Sequence, residues 1–415
     1  MCGALNYNAS GNWQIEHQCP QCGAPVVLDE ADRLLICPYC KTKLILVAED
    51  HFRYCIPTKD SNPGETVYVP YWRLRGSSFS ILINEVTNRF FDANRLALNF
   101  SGFPASLGFR PQVFKLRFAS PRVEGLFLKP GLSAQAIIQQ ISGAEYPSNL
   151  HQAFIGKTVS LIYSPMYLEN NIMYDSILKR PVYTFKPGEI DGLLASGRQQ
   201  NWDIAFVSTL CPQCGWDLEG GKDTLVLTCR NCDSAWMCQG ATFEKVAFSV
   251  IANVDPDTYY LPFWRMKTRI EGITLQSYAD LIRLGNLPKV ISDTFEETAL
   301  YFWSPAFKVN PALFLRWSRQ LTIFQPGGEA IEKMPACFIY PVTLPINEAV
   351  ESIIVTMASI IMDKRKFFAV LPEIRISLEE SQLVYHPFVI SHNELIHVKT
   401  GLSIDRNALN FGMFL

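Results

Sequence analysis

Cys19-Pro20-Gln21-Cys22-Gly23, closed by Cys37-Pro38-Tyr39-Cys40 with fourteen residues between the two cysteine pairs, is the stretch that decides how the chain is read. The arrangement returns at Cys211-Pro212-Gln213-Cys214-Gly215 and Cys229-Arg230-Asn231-Cys232. Two Cys-x-x-Cys pairs at this separation bring four thiolates within reach of one tetrahedral ion, and a site made wholly of protein thiolates is closed and structural. The spacing therefore predicts two structural Zn2+ ions, one held by Cys19, Cys22, Cys37 and Cys40 and one by Cys211, Cys214, Cys229 and Cys232. Removing them is expected to unfold the ribbons they tie. A rubredoxin-like iron centre is the rival for the same knuckles, disfavoured because its two pairs stand further apart.

The cysteines repeat at a shift of 192, and so does a second motif: Tyr68, Pro70, Trp72 and Arg73 return as Tyr260, Pro262, Trp264 and Arg265. Phe114-Lys115 matches Phe307-Lys308 at 193, and Tyr146-Pro147 matches Tyr340-Pro341 at 194. Leu161-Ile162-Tyr163-Ser164-Pro165 matches Leu383-Val384-Tyr385-His386-Pro387 at 222. Such self-similarity marks an internal repeat. The expected fold class is α+β, a tandem duplication of a zinc ribbon followed by an α/β domain with antiparallel strands. The expected divisions are an N-terminal arm and first ribbon over 1–55, a first α/β domain over 56–195, a second ribbon over 196–247 and a second α/β domain over 248–415. The jump in shift places an insertion of about 28 residues after Pro341. It contains a predicted helix over 347–366, striped by Val350, Ile353, Ile354, Met357, Ile360 and Ile361. Asp363-Lys364-Arg365-Lys366 suits that helix's C-terminus. The helix is a candidate contact face, although packing on its own domain is the simpler expectation.

Between the first knuckles, 26–28 and 34–36 flank Asp29-Glu30-Ala31-Asp32 and predict a hairpin, with 44–47 as a third strand. Residues 67–74 read as a strand in which Pro70 points to a sheet edge or a strand start. Helices are expected over 135–141 and 275–284. Glu169-Asn170-Asn171 reads as a hairpin turn, repeated at Ser391-His392-Asn393-Glu394.

A chain of 415 residues suffices for two to four domains. Charged residues make up only 18% against 48% hydrophobic and 12% aromatic, so part of the surface is expected to be hidden in an assembly. The net charge of −2 gives no global field to draw nucleic acid or an anionic membrane. The ribbons are no more basic. Arg33, Lys41 and Lys43 balance Asp29, Glu30 and Asp32 in the first, while Lys222 and Arg230 face Asp217, Glu219, Asp223 and Asp233 in the second. Met1-Cys2-Gly3-Ala4-Leu5-Asn6 has no secretory pattern, and the apolar run over 349–362 is too short and interrupted to span a bilayer. Reduced thiolates call for a reducing compartment, so a cytoplasmic location is expected, with peripheral membrane association left open.

In the Tyr-x-Pro-x-Trp-Arg motifs, Trp72 or Trp264 could stack on a ligand and Arg73 or Arg265 pair with an acidic group, but core packing is the simpler reading. Gly156-Lys157-Thr158 is similar to the end of a phosphate loop, yet His151 stands where that loop requires its first glycine. His386, His392 and His397 cluster around one predicted hairpin, as metal ligands or bases. Ser164, Asn170 and Asp175 stand at the matching places in the first half, so ordinary surface or core roles are favoured. Cys238, six residues after Cys232, is an alternative ligand or, more simply, a buried thiol. No nucleophile motif, dinucleotide fingerprint or pair of catalytic carboxylates is evident.

At its knuckles and its Pro70-Tyr71-Trp72 and Pro262-Phe263-Trp264 strands, the chain resembles prokaryotic zinc-ribbon adaptor proteins with rubredoxin-like knuckles, in which ribbons precede a domain opening on such a strand. The resemblance rests on eight cysteines and two six-residue motifs. It implies an adaptor subunit of the kind encoded beside ATPases or membrane-stress proteins, and it carries over no catalytic residue. The expected function is a non-enzymatic zinc-binding scaffold or adaptor that mediates protein–protein contacts within a larger assembly, because two related faces can bridge two subunits or grip one symmetric partner. A nucleic-acid-binding zinc-ribbon protein is the alternative; rubredoxin-like electron transfer and an enzyme with a cleft between the halves are further ones.

Overall fold

Each half of the chain is organised by one long antiparallel strand pair. Thr66–Ile81 runs against His151–Glu169, and Tyr259–Glu271 runs against Arg375–Ser391. Both are rich in aromatic and β-branched residues, the types that fit a pleated, buried surface. The computed structural model describes residues 14–412 apart from 49, 59–64, 84, 109–114, 121, 144–149, 196, 198–203, 254 and 256. Among these the fold is mixed α+β, with eight α-helices and several sheets, most of whose ladders are antiparallel.

The two pairs share one register. Pro70 lies opposite Tyr163, and Pro262 lies opposite Tyr385. Neither proline is at a sheet edge or a strand start. Each sits where the neighbour on the strand's other side changes. Val86–Leu96 pairs with residues 71–81 while Leu126–Phe127 pairs with 67–68. In the second half Phe302–Pro305 covers 263–266 while Phe338–Ile339 covers 259–260. A missing N–H costs little in that gap. The proline carbonyls remain engaged, accepting from Ala97 N and Ala306 N.

These bonds also locate the extra residues of the second half. Ala97 O accepts from Leu132 N, and Ala306 O accepts from Leu344 N. The shift between matched positions thus climbs from 192 at the prolines to 209 at Ala97/Ala306, 212 at Leu132/Leu344 and 222 at Tyr163/Tyr385. Instead of one insertion after Pro341, the growth is spread. Helices Tyr278–Gly285 and Asp293–Glu297 occupy what is a tight connection between Ile81 and Val86 in the first half. By the same bonds Tyr340 matches Leu128, whereas Phe114 and Tyr146-Pro147 lie outside the described residues. The helix expected over 347–366 is two helices, Ile346–Ile360 and Lys364–Val370. Asp363 ends the continuity because its carboxylate accepts from Lys366 N and caps the second one. Ile346–Ile360 is therefore no insertion: it follows Leu344 as Ala134–Gly143 follows Leu132.

The predicted hairpin between the first knuckles does not close. Pro25–Asp29 pairs with Gln14–Gln18 in the ten-stranded sheet of the first half, while Leu34–Ile36 pairs with Lys43–Val47 in a separate small sheet. The turn between them is held from outside: Arg33 N and Leu34 N both donate to Lys222 O of the second ribbon, at 2.7 and 2.8 Å. Ala205–Ser208, which leads into the second ribbon, adds to Lys43–Val47 as a third strand. Hydrogen bonds thus cross the lines drawn at 55/56 and between the ribbons. Ile45 packs with Leu218, Leu227 and Trp236 in a shared core.

Ile346–Ile360 packs on both halves, and its first turn carries a buried glutamate. Gly156 N and Lys157 N, at a bulge in the first half's long strand, both donate to Glu348 Oε2 at 2.5 and 3.1 Å. Lys308 Nζ donates to Thr158 Oγ1 alongside. Gly156 holds φ +69°, which only glycine adopts freely. The tripeptide that resembles a phosphate loop thus binds an internal carboxylate.

Candidate metal centres

Three of the Cys-x-x-Cys knuckles are tight turns closed by a bond from the residue after the second cysteine. Gly23 N donates to Cys19 O, Lys41 N to Cys37 O and Gly215 N to Cys211 O, at 2.8, 3.0 and 2.8 Å. Gly23, Lys41, Gly215 and Asp233 all have positive φ, +72°, +62°, +74° and +48°. Glycine takes this conformation without strain, and the other two positions accept it to complete the turn.

The turns bring the eight predicted cysteines into two groups of four, in each of which the sulfurs lie within 4.8 Å of one another. Cys19–Cys40 and Cys22–Cys37 are 3.8 and 3.7 Å apart, and Cys211–Cys232 and Cys214–Cys229 are 3.6 and 3.5 Å apart. A tetrahedron of thiolates at ~2.3 Å from a central ion has edges of ~3.8 Å. A disulfide would require ~2.05 Å. Both groups therefore have the size and donor chemistry to hold a metal ion. In each the inner sulfurs are enclosed, Cys19 and Cys37 in one and Cys211 and Cys229 in the other, whereas Cys22, Cys40 and Cys214 reach the surface.

A hydroxyl stands beside each group. Cys40 Sγ lies 3.3 Å from Thr42 Oγ1, and Cys232 Sγ lies 3.1 Å from Ser234 Oγ. Trp236 Nε1 donates to Ser234 Oγ, leaving the serine proton free for sulfur. The Thr42 hydroxyl and amide lower the Cys40 thiol, whereas contact with its neighbouring thiols raises Cys22, so without an ion the set shares its protons unevenly. Sequence reasoning missed these hydroxyls, although Thr42 and Ser234 also stand 192 residues apart. Cys238 joins neither group and contacts Gly240 O at 3.3 Å.

His386 and His397 meet, but as a buried structural pair. His397 Nδ1 accepts from Lys399 N and Thr400 N at 3.1 and 3.0 Å, so its proton sits on Nε2, 3.0 Å from His386 Nδ1. Burial drives both toward the neutral form, His386 well below its ordinary value and His397 to about 4. His392 stands apart in an exposed turn at φ +56°. In the Trp-Arg motifs the tryptophans are core: Trp72 Nε1 donates to Leu132 O at 2.7 Å and Trp264 Nε1 to Leu344 O at 2.9 Å.

A cavity of about 790 Å³ lies where both ribbons meet the second sheet. Asp32, Asp223, Lys43, Lys222 and Arg230 mix charges along its wall. Burial raises Asp32 to about 6 and pushes Asp223 up as well. Asp32 nonetheless has a structural task, accepting from Asp29 N at 3.0 Å. Among the described residues no helix is long and apolar enough to cross a membrane. Comparison with protein-family models, with curated proteins and with solved structures returns no match.

Proposed function

We propose that the protein is a non-enzymatic scaffold or adaptor, a tandem duplication of a ribbon-plus-sheet unit whose two four-cysteine groups each hold one structural Zn2+ ion. Its ribbons mediate protein–protein contacts within a larger assembly in the cytoplasm. The observation that carries this reading is the pair of aromatic residues on the metal knuckles. Tyr39, between the cysteines of one knuckle, is 65% exposed, and Trp216, just after another, is 62% exposed. A large aromatic side chain on a turn fixed by a metal is pre-ordered and binds a partner pocket at small entropic cost. The matched bonds at the prolines, at Ala97/Ala306 and at the tryptophans support the duplication.

Nucleic-acid binding is disfavoured by where the ribbons' positive charges go. The Arg33 guanidinium lies over the Phe52 ring, and Arg230 pairs with Glu219 at 3.0 Å. One observation favours an enzyme instead: Asp32 and Asp223 share a large cavity and both titrate high.

Native mass spectrometry of the tagged protein from its own host tests the proposal. Two zinc ions with stoichiometric protein subunits are expected, and Tyr39→Ala with Trp216→Ala should shed those subunits while keeping both ions. A lone chain that retains nucleic acid or a small molecule would sink the scaffold reading, and loss of that molecule in Asp32→Asn would move the assignment to the cavity.

A further inference from the structure

Arg73 and Arg265 hold matching places next to the motif tryptophans, but their surroundings differ. Arg73 is flanked across the sheet by Ser160 and Asn94, and Arg265 by Gln382 and Trp303. Arg73 is 2% exposed, forks onto Asp92 and has Glu30 at 3.6 Å. Around Arg265 both acids are replaced. Asp92 stands two residues before Asn94, and the residue two before Trp303 is Tyr301. Lys222 follows Glu30 at the ribbon shift of 192. The Arg265 guanidinium lies over the Tyr301 ring, 3.6 Å from its centroid, and donates to Gln382 Oε1 at 3.5 Å; among the described residues no carboxylate pairs with it.

Space opens at the same point. A cavity of about 320 Å³ is lined on the sheet side by Arg265, Tyr301, Trp303 and Gln382. Ile251 and Val384 give it apolar wall, and among the described residues no acidic one lines it. Trp303, which lines the cavity, has an indole Nε1 that is buried without a partner.

We propose that this cavity binds a small organic monocarboxylate with an apolar body. The guanidinium fork matches a carboxylate in geometry and charge, and stacking on Tyr301 fixes its plane before the ligand arrives. A single cationic group among neutral polar side chains, with Ile251, Pro326 and Val384 as hydrocarbon wall, suits a ligand with one charged end. This site lies apart from both four-cysteine groups and does not depend on the scaffold reading.

Isothermal titration of the full-length, zinc-loaded protein with acetate, hexanoate and phenylacetate, and with inorganic phosphate, tests the assignment. Saturable one-site binding of hexanoate or phenylacetate is expected, tighter than acetate and phosphate. Arg265→Gln should weaken it about ten- to a hundredfold, and Arg265→Lys by less, because charge survives but the fork does not. Ala330→Trp, at the exposed rim, should block entry without disturbing the core and serves if Arg265→Gln fails to fold. Saturation by none of the carboxylates, phosphate binding as tightly as phenylacetate, or affinity unchanged in Arg265→Lys and Ala330→Trp would each overturn the proposal.

Discussion

The corner that follows each long strand is built twice with different side chains. In the first half Asp175 Oδ1 accepts from Ile177 N and Leu178 N at 2.7 and 2.8 Å. In the second, 222 residues on, His397 Nδ1 accepts from Lys399 N and Thr400 N. The backbone around them is the same: Ser176 N and Val398 N donate to Pro165 O and Pro387 O, and Lys179 N and Gly401 N to Asp175 O and His397 O. The turn needs an acceptor for two amides, and either a carboxylate or a neutral imidazole supplies one. What differs is the far end of the side chain. His397 has a second nitrogen and uses it to fix His386, which stands where the first half has Ser164. The two helices teach the same lesson. Glu348 reaches across from Ile346–Ile360 to the other half, whereas Ala136 stands at the matching place in Ala134–Gly143. Backbone geometry is held constant, and the side chains diverge wherever the geometry leaves them an unused end.

Loss of a metal is the strongest way to ask whether the halves stand alone. Zinc at a structural four-thiolate site contributes about 10–16 kcal/mol of apparent binding free energy. The small sheet mixes strands from both ribbons, so Cys22→Ser and Cys214→Ser should each unsettle both. Elemental analysis and circular dichroism are expected to show metal content falling at the two sites together. If one variant keeps a full ion at the other site with native signal, the ribbons fold independently and the shared strands are incidental.

Cutting the bridge between halves comes next. Glu348→Ala removes the acceptor of two backbone amides and takes from Lys308 the carboxylate that most offsets its burial. Breaking a buried charged network of this kind costs about 3–5 kcal/mol. Urea unfolding should register that loss, with an intermediate if the halves then part. Ala136→Glu, at the first half's matching position, should cost less than ~1 kcal/mol, because nothing there receives it.

Sequence reasoning picked out the eight cysteines that the fold gathers into two groups able to hold a metal, because thiolate chemistry demands fixed spacing and the shift of 192 repeats it. It also located the long strands through Tyr68, Pro70 and Trp72. It misjudged Pro70, since a proline in a buried strand is tolerated where neighbouring strands change over, and that gap is a tertiary fact. It read Leu34–Ile36 as the return of a hairpin because strand type is local while strand partner is not; Lys222, nearly two hundred residues on, holds that turn. By their backbone bonds Ala306 and Tyr340 pair with Ala97 and Leu128, so a constant shift near 193 does not carry through this region. Nothing local marks Arg265 as lacking its acids, which came from another strand and another ribbon in the first half.

The histidine corner predicts a pH response of its own. His397 is held to about 4, below the ordinary imidazole value near 6.5, so the unfolded chain takes up its proton first as pH falls. The pair's contribution is present above about 6.5 and declines toward about 4, a loss on the order of 3 kcal/mol for His397 alone. Asp32, raised to about 6, works in the opposite direction and gains stability as pH falls toward the unfolded carboxylate value. His386→Ser with His397→Asp installs the first half's residues. Urea midpoints across this range should then lose the histidine share of the acid slope. An unchanged slope would mean that the pair is not what titrates.

The smallest effect is the sharpest test of equivalence. Trp72 and Trp264 each spend their single donor on the carbonyl that precedes a helix, at 2.7 and 2.9 Å. Both side chains are about equally buried, 4% and 3% exposed, so desolvation should not separate them. Replacing the indole by phenyl leaves that carbonyl without the indole donor and loses some packing. Trp72→Phe and Trp264→Phe should therefore each cost about 1–3 kcal/mol, and by similar amounts. The exposed Trp216 supplies the baseline, since its loss removes no buried bond and should change stability by less than ~0.5 kcal/mol. A large difference between Trp72 and Trp264 would show that the helix Ile346–Ile360, pinned across the interface by Glu348, leans on its tryptophan differently from its counterpart. The repeat would then be one of shape without a repeat of energetics.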